Sequence, residues 1–144
     1  MNHFDGALAR FIRSFEHNSA SGDVPAVVQQ FAEVFLVVTP DSVQCIRSVD
    51  FAVAVPKRKQ LFDRLGRKSS ELIRFKEIRL DLRYALARTR WRFIFRSVAG
   101  EPETVEVDVT YLIHTATEPF KILLYLAHQN IMEILTQRGL MGDA

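Results

Sequence analysis

Two carboxylates, Glu106 and Asp108, lie two positions apart in a segment that alternates between apolar and polar residues. Side chains two apart on a β-strand project from the same face, so the pair could perform acid–base chemistry if both groups were buried together. The alternative is that they pair with Arg90 and Arg92 of the preceding segment, on a solvated or dimer-facing surface. We favour these ion pairs, because carboxylates are rarely buried alone.

His114 and His128 are the two histidines of the predicted sheet region, and either could serve as a general base or a ligand. For His114 we favour a hydrogen-bonded residue at a strand end, whereas His128 is kept as a candidate ligand-binding residue. No spacing of His, Cys and Asp predicts a metal site. No serine, cysteine or glycine-rich motif predicts a nucleophile elbow or a phosphate loop, and we expect no cofactor.

Three aromatic residues, Trp91, Tyr111 and Tyr125, occupy odd-numbered positions of the same region. If these positions face the helices, they line an apolar space with a few polar tips, which is the usual form of a small-molecule site. The competing interpretation is that the three side chains only fill the core. The first interpretation predicts a small apolar or aromatic ligand.

The element that must position these residues is a meander of three long antiparallel strands, predicted over Tyr84–Arg96, Glu103–Thr115 and Phe120–Gln129. Aromatic residues alternate with arginines in the first strand, and valines alternate with polar residues in the second. Alternation with period two is typical of strands, and it predicts one apolar wall and one salt-paired wall.

The pairing of the first two strands is predicted from the turn between them, which contains Gly100 and Pro102. A hairpin folded about Gly100 pairs Phe95 with Val105, Phe93 with Val107, Trp91 with Val109, and Arg92 with Asp108. A shift of one residue would mix the apolar and charged faces, so the alternation selects against it.

The third strand is apolar on nearly both faces. One face must meet the helices of the same chain, and the other needs a second cover, most simply another subunit. The sequence therefore predicts a homodimer formed through the sheet, and it leaves open which face is used.

The rest of the chain is predicted to cover the meander. The expected elements are a helix over residues 3–17, a helix from Val24 to about Phe31 with Asp23 as its cap, strands over Glu33–Thr39 and Val43–Arg47, a helix capped by Ser48 or Asp50, a strand over Glu71–Leu82, and a closing helix after Gln129. Pro56 should kink the third helix or start a new one at Lys57. A change of phase within Glu71–Leu82 predicts a bulge near Lys76–Glu77.

Composition favours one soluble domain over residues 1–144, since 48% of residues are hydrophobic, 25% are charged and the formal net charge is +2. The single cysteine, Cys45, excludes an internal disulfide. No stretch has the pattern of a signal peptide or a membrane span, so we expect a cytoplasmic protein without a membrane partner. The basic run from Pro56 to Lys68 lacks interleaved aromatic residues, which makes a nucleic-acid partner unlikely.

Residues Gly22–Phe31 resemble the GD-(V/I)-x-A-(L/V) second helix of the NTF2-like superfamily, also called SnoaL-like or ketosteroid-isomerase-like. Val105–Thr115 and Phe120–Gln129 resemble its meander. The resemblance implies an α+β, cystatin-like cone, in which a curved mixed or antiparallel sheet wraps around helices and leaves a pocket at the wide end. It also implies that dimers through the sheet are common and that the last strand, with His128, lines the pocket.

The resemblance argues against the isomerase mechanism. That branch places a general-base Asp just before the Pro that follows the first strand, but Thr39 precedes Pro40 here, and Asp41 would need a different loop geometry. Its oxyanion Tyr matches Phe15 or Phe11, which cannot donate a hydrogen bond, although Phe15 stays a candidate ligand-binding residue. We therefore expect a pocket protein or, if it is an enzyme, a lyase, isomerase or cyclase acting on a hydrophobic metabolite. The alternative is a non-catalytic dimerisation module.

Overall fold

The computed structural model describes residues 6–96 and 100–140, which form a mixed α+β structure. The helices are α1 (Ala7–Ser21), α2 (Val24–Gln29), α3 (Ser48–Arg64) and α4 (Ile131–Gln137). The strands are β1 (Phe31–Val38), β2 (Val43–Arg47), β3 (Arg67–Arg79), β4 (Tyr84–Arg96), β5 (Pro102–His114) and β6 (Lys121–Ala127). Among these residues, none of the helices combines the length and the apolar content that crossing a membrane requires.

The six strands form one curved, unclosed sheet in the order β2-β1-β6-β5-β4-β3. Neighbouring strands are antiparallel, except that β1 and β6 are parallel. We call the face that bears Trp91 the inner face and the face that bears Arg92 the outer face. The predicted division into two walls is confirmed, because Trp91 is only 6% exposed, whereas the Arg92 side chain is 39% exposed.

The core lies between helix α1 and the inner face of the sheet. Leu8, Ile12 and Phe15 recur at helical spacing, so they form one apolar stripe along α1, and all three are buried. They join a single cluster with the inward residues of β4 and β5. The strands thus hold α1 directly over the part of the inner face that carries the candidate aromatic residues.

Helix α1 ends later than the sequence suggested, at Ser21 instead of before Asn18. It stops where Gly22 adopts a left-handed conformation with φ of 74°, which glycine reaches without steric cost. The predicted cap of α2 is confirmed, since the Asp23 carboxylate accepts a hydrogen bond from the Ala26 backbone N–H at 3.2 Å. Residues 3–5 of the expected first helix lie outside the described residues.

Helix α3 is continuous, although Pro56 lies inside it. Of the two alternatives at Pro56, a new helix at Lys57 is therefore excluded, and neither Ser48 nor Asp50 is the cap, because the N-cap residue is Arg47. Aromatic residues on both sides of the proline, Phe51 and Phe62, pack into the core. This packing offsets the hydrogen bond that proline removes from the helix.

Strand β3 covers Arg67–Arg79 and so begins and ends earlier than predicted. Its register shifts lie between Arg67 and Ser69 and between Leu72 and Arg74, so the bulge predicted near Lys76–Glu77 is misplaced. The second shift absorbs one residue, and it lets Leu72 and Phe75 both reach the core despite their opposite parity.

Strand β4 has the predicted bounds, but its pairing with β5 differs from the prediction by two residues. Phe93 lies opposite Val105, Trp91 opposite Val107, and Arg92 opposite Glu106. A shift of two residues keeps every side chain on its face, so alternation cannot distinguish the two registers. Residues 97–99 of the connecting turn lie outside the described residues.

Candidate functional site

Four candidate residues from four elements form a continuous aromatic series on the inner face. The Phe15 ring of α1 lies 6.2 Å from Trp91 and 5.7 Å from Tyr111, measured between ring centroids. The Tyr111 ring lies 5.4 Å from Tyr125 on the neighbouring strand. All three contacts are edge-to-face, the arrangement that aromatic pairs favour. Phe15, Trp91 and Tyr111 are buried, whereas Tyr125 is partly exposed.

A buried hydroxyl, that of Thr89, connects the polar atoms of this series. Thr89 Oγ1 accepts a hydrogen bond from Trp91 Nε1 at 3.0 Å and donates one to the Val109 carbonyl at 2.7 Å. Thr89 was not among the site residues predicted from the sequence. Its odd-numbered position places it on the same face of β4 as the aromatic residues. A polar side chain on an apolar face needs a hydrogen-bond partner inside the protein, so Thr89 could have been predicted to form one.

The Tyr111 hydroxyl stays protonated near neutral pH. Burial raises its pKa well above the ordinary value, and the neighbouring Tyr125 adds to the rise, while Trp91, Arg58 and Thr89 oppose it. The Trp91 N–H and the Thr89 hydroxyl already donate within the fold, and no carboxylate or imidazole belongs to the aromatic series. The hydroxyls of Tyr111 and Tyr125 are therefore the polar groups of the series that a ligand could contact.

The structure separates His128 from the aromatic series. Its Nε2 lies 2.7 Å from Thr110 Oγ1. Thr110 has the opposite parity to Tyr111, so this contact is on the outer face. His114 lies at the end of β5, where its ring packs edge-on against Tyr84 at 5.3 Å.

The two carboxylates of β5 form ion pairs on the outer face, as favoured from the sequence. Arg90 bonds both carboxylates, with Nε 2.7 Å from Glu106 Oε1 and Nη1 2.9 Å from Asp108 Oδ1. Arg92 bonds Glu106 at 3.2 Å, instead of the predicted Asp108. We call Glu71, Arg90, Arg92, Glu106 and Asp108 the ion-pair network.

These contacts keep both carboxylates of β5 ionised. Hydrogen bonds from Arg90 and then Arg92 lower the pKa of Glu106. Burial acts to raise the pKa of Asp108, but hydrogen bonds from Gln129 and Arg90 overcome it, and the net shift is downward. A pair that shares a proton needs one raised pKa, so this pair lacks the property that acid–base catalysis would use.

The position that matches the isomerase base has a structural role. Thr39 Oγ1 accepts hydrogen bonds from the backbone N–H groups of Asp41 and Ser42, at 3.3 and 3.1 Å. The Asp41 carboxylate accepts one from Asn130 Nδ2 at 2.9 Å, which links this turn to the first residues of α4. Thr39 therefore holds the β1–β2 turn, and Asp41 joins that turn to the closing helix.

Part of the basic run from Pro56 to Lys68, which spans the end of α3 and the start of β3, is used within the fold. The guanidinium groups of Arg58 and Arg67 lie 5.0 and 5.4 Å from the centroid of the buried Phe62 ring. Lys59 pairs with Asp63 at 2.8 Å. In the part of the chain that the structure describes, no three His, Cys, Asp or Glu side chains are grouped closely enough to hold a metal ion.

Solved structures with the same architecture exist, although their sequences are distant. An NTF2-like protein from Shewanella oneidensis superposes with a TM-score of 0.66 at 14% identity, over 85% of this chain and 96% of that one. An NTF2-like protein with a cystatin-like fold from Novosphingobium aromaticivorans gives 0.68 at 11% identity, over 83% and 77% of the two chains. The protein has the NTF2-like fold.

A third structure, a ketosteroid isomerase-like protein from Erwinia carotovora atroseptica, gives a TM-score of 0.61 at 12% identity, over 83% of this chain and 90% of that one. No family model matches the sequence, and no curated protein matches it. The fold expected from the resemblance is thereby confirmed, and the activity must be argued from the site.

Proposed function

We propose that the protein binds a small apolar or aromatic molecule between the inner face of the sheet and the helices, without isomerase catalysis. The observation that carries the proposal is the aromatic series that runs from buried Trp91 and Tyr111 to partly exposed Tyr125. An apolar surface with a few polar atoms at its base is the usual form of a small-molecule site.

The exposed end of the series is the expected entry point. Val37 of β1 pairs with Tyr125 in the parallel register and is partly buried as well. The β1–β2 turn and the start of α4 lie beyond this end, joined by the bond between Asn130 and Asp41. A ligand beside Tyr125 meets the edge of its ring, and it reaches Tyr111, which is 1% exposed, only where the core opens.

The binding test can use Trp91, because it is the only tryptophan of the chain. We expect a hydrophobic acid or an aromatic polyketide-like compound to change Trp91 fluorescence saturably and to raise the melting temperature. Binding to the folded state alone stabilises it by about 2.7 kcal/mol when the ligand is at a hundred times its Kd.

Two tyrosine variants make the test specific. Tyr125→Ala removes the partly exposed end of the series and should weaken binding at least tenfold. Tyr84→Ala is the matched control, because Tyr84 is also partly exposed but packs on His114, outside the series. Equal losses in both variants, or no saturable signal across a broad panel, would contradict the proposal.

A second candidate function, homodimerisation through the sheet, is supported by the outer face. Leu36, Leu124, Leu112 and Leu86 are consecutive partners across β1, β6, β5 and β4, and we call them the leucine row. None of the four is buried, and Leu36 is 39% exposed. A second copy is the simplest cover, since a two-fold interface places the same patch on both partners.

Light scattering at micromolar concentration tests this candidate. We expect twice the monomer mass for the native chain and the monomer mass for Leu124→Arg, which puts a charge in the middle of the leucine row. Leu82→Arg is the control, because Leu82 is 93% exposed in the β3–β4 turn. A native monomer would exclude dimerisation and leave the ligand-binding proposal in place.

A further inference from the structure

A depression of about 460 Å³ lies away from the aromatic series, beside the first residues of β1 and β6. Its apolar lining residues are Val28, Phe31, Ala32 and Leu123, and its polar lining residues are Gln29, Glu33, Ser48, His114 and Lys121. The depression is widely open to solvent. Thr39 and Asp41 follow the other end of β1, so the depression is separate from the position that matches the isomerase base.

Four of the polar lining residues come from four different strands and helices, and two of them, Glu33 and Lys121, carry opposite charges. Glu33 belongs to β1, Ser48 to α3, His114 to β5 and Lys121 to β6. His114 and Lys121 are direct cross-strand partners. The sheet therefore places a cation and an imidazole side by side, with an anion from another strand on the same depression.

The two charges face one depression without neutralising each other. Within residues 6–96 and 100–140, neither Glu33 nor Lys121 takes part in an ion pair at 4.0 Å or less. Lys121 Nζ donates to the Gln29 carbonyl, which orients the ammonium group. An ammonium group has three donors, so two remain for a ligand.

From this arrangement we propose that the depression binds a small zwitterion with an apolar side chain, of the size of an α-amino acid. Its carboxylate is held by Lys121, with Ser48 and His114 as further hydrogen-bond partners, and its ammonium group is held by Glu33. The apolar side chain lies against Val28 and Leu123. A molecule with both charges can pair with Glu33 and Lys121 at once. A molecule with one charge pairs with only one of these two residues.

Backbone amide shifts in an NMR titration of the full chain test the proposal, with L-leucine as the probe. Leucine has about nine non-hydrogen atoms, and the efficiency of small ligands then gives a Kd on the order of 1 mM. We expect saturable shifts at Ala32, Glu33, Ser48 and Leu123. Shifts confined to Trp91 and Tyr111 would assign leucine to the inner face and overturn this proposal while supporting the previous one.

Two analogues with a single charge test whether binding requires both the carboxylate and the ammonium group of the ligand. N-acetyl-leucine keeps the carboxylate only, and leucinamide keeps the ammonium group only. Each should bind at least threefold more weakly than leucine, because one charged contact is absent. Equal affinities for the three compounds, or no saturation well above the expected Kd, would overturn the proposal.

Matched variants assign each charge to its residue. Glu33→Gln should weaken leucine binding at least threefold and leave the affinity for N-acetyl-leucine unchanged. Lys121→Met should weaken leucine binding by the same factor and leave the affinity for leucinamide unchanged. Glu101→Gln, which changes an exposed carboxylate at the other end of β5, should have no effect. Glu33 is exposed, so Glu33→Gln still decides the question if Lys121→Met loses its fold with the bond to Gln29.

Discussion

The inner and outer faces of β4 and β5 are built from the same two stretches of chain but satisfy their polar groups differently. On the inner face, the single hydroxyl of Thr89 serves both the Trp91 indole and the Val109 carbonyl. On the outer face, Arg90 divides its bonds between two carboxylates, and Glu106 is also bonded by Arg92.

The comparison indicates where each face is vulnerable. A buried donor that loses its acceptor retains the full cost of desolvation, because no water replaces the partner. A half-exposed ion pair that loses one member is rehydrated and keeps its other contacts. We therefore expect inner-face substitutions to change stability strongly and outer-face substitutions to change it weakly.

The largest effect is expected from Trp91→Ala on the inner face. The variant leaves a cavity among Phe15, Val107 and Tyr111, and the free energy of unfolding should fall by about 3–5 kcal/mol. Urea unfolding monitored by circular dichroism measures the change without the lost tryptophan signal. A loss below about 1 kcal/mol would show that the inner face is not close-packed at Trp91.

A smaller effect is expected from Thr89→Val, which keeps the side-chain shape but removes the hydroxyl. The Trp91 Nε1–H then loses its Thr89 acceptor, and the free energy of unfolding should fall by about 1–3 kcal/mol. Thr104→Val, at an exposed position of β5, is the control, and its free energy of unfolding should change by no more than about 0.5 kcal/mol. Similar losses in the two variants would remove the distinction between the faces.

A still smaller effect is expected from Arg92→Met in the ion-pair network. Glu106 keeps its bond to Arg90, so the free energy of unfolding should fall by about 0.2–1 kcal/mol. The same urea measurement in high salt should reduce the difference, because exposed charges are screened. A loss as large as that of Thr89→Val would mean that the network is a second stability determinant equal to the core.

The smallest predicted difference concerns acid stability. Hydrogen bonds from Arg90 and Arg92 lower the pKa of Glu106 in the folded state below the ordinary 4.5. The contribution of ionised Glu106 to folding stability is therefore complete above the unfolded-state pKa and is lost as the pH falls through the folded-state pKa. Urea midpoints measured between about pH 5 and pH 3 should therefore fall less in Glu106→Gln than in the native chain. Glu101→Gln, with an exposed carboxylate, should behave like the native chain, and an unchanged slope in Glu106→Gln would contradict the assignment.

Much of the fold could be predicted because local rules and tertiary packing agree. The Asp23 cap, the bounds of β4 and the membership of the two walls follow from residue type and period. The course of α3 through Pro56 could not be predicted, because the anchoring of Phe51 and Phe62 depends on contacts distant in sequence. The bulge near Leu72 depends similarly on which residues the core accepts.

The candidate site was predicted only in part for the same reason. Trp91, Tyr111 and Tyr125 share a parity, and the structure brings them together with Phe15. His128 was grouped with them through a family resemblance, but its even parity matches its position beside Thr110 on the outer face. Glu33 and Lys121 are 88 positions apart in the sequence, so their common depression follows only from the parallel pairing of β1 and β6.

The sequence by itself determined which side chains of β4 and β5 share a wall, because the two-residue period of a regular strand assigns faces without reference to any neighbour. Only the tertiary structure decided the register of β4 on β5, because a shift of two residues leaves that assignment unchanged. The same register decided that Arg90, and not Arg92, is the arginine that holds both carboxylates of β5.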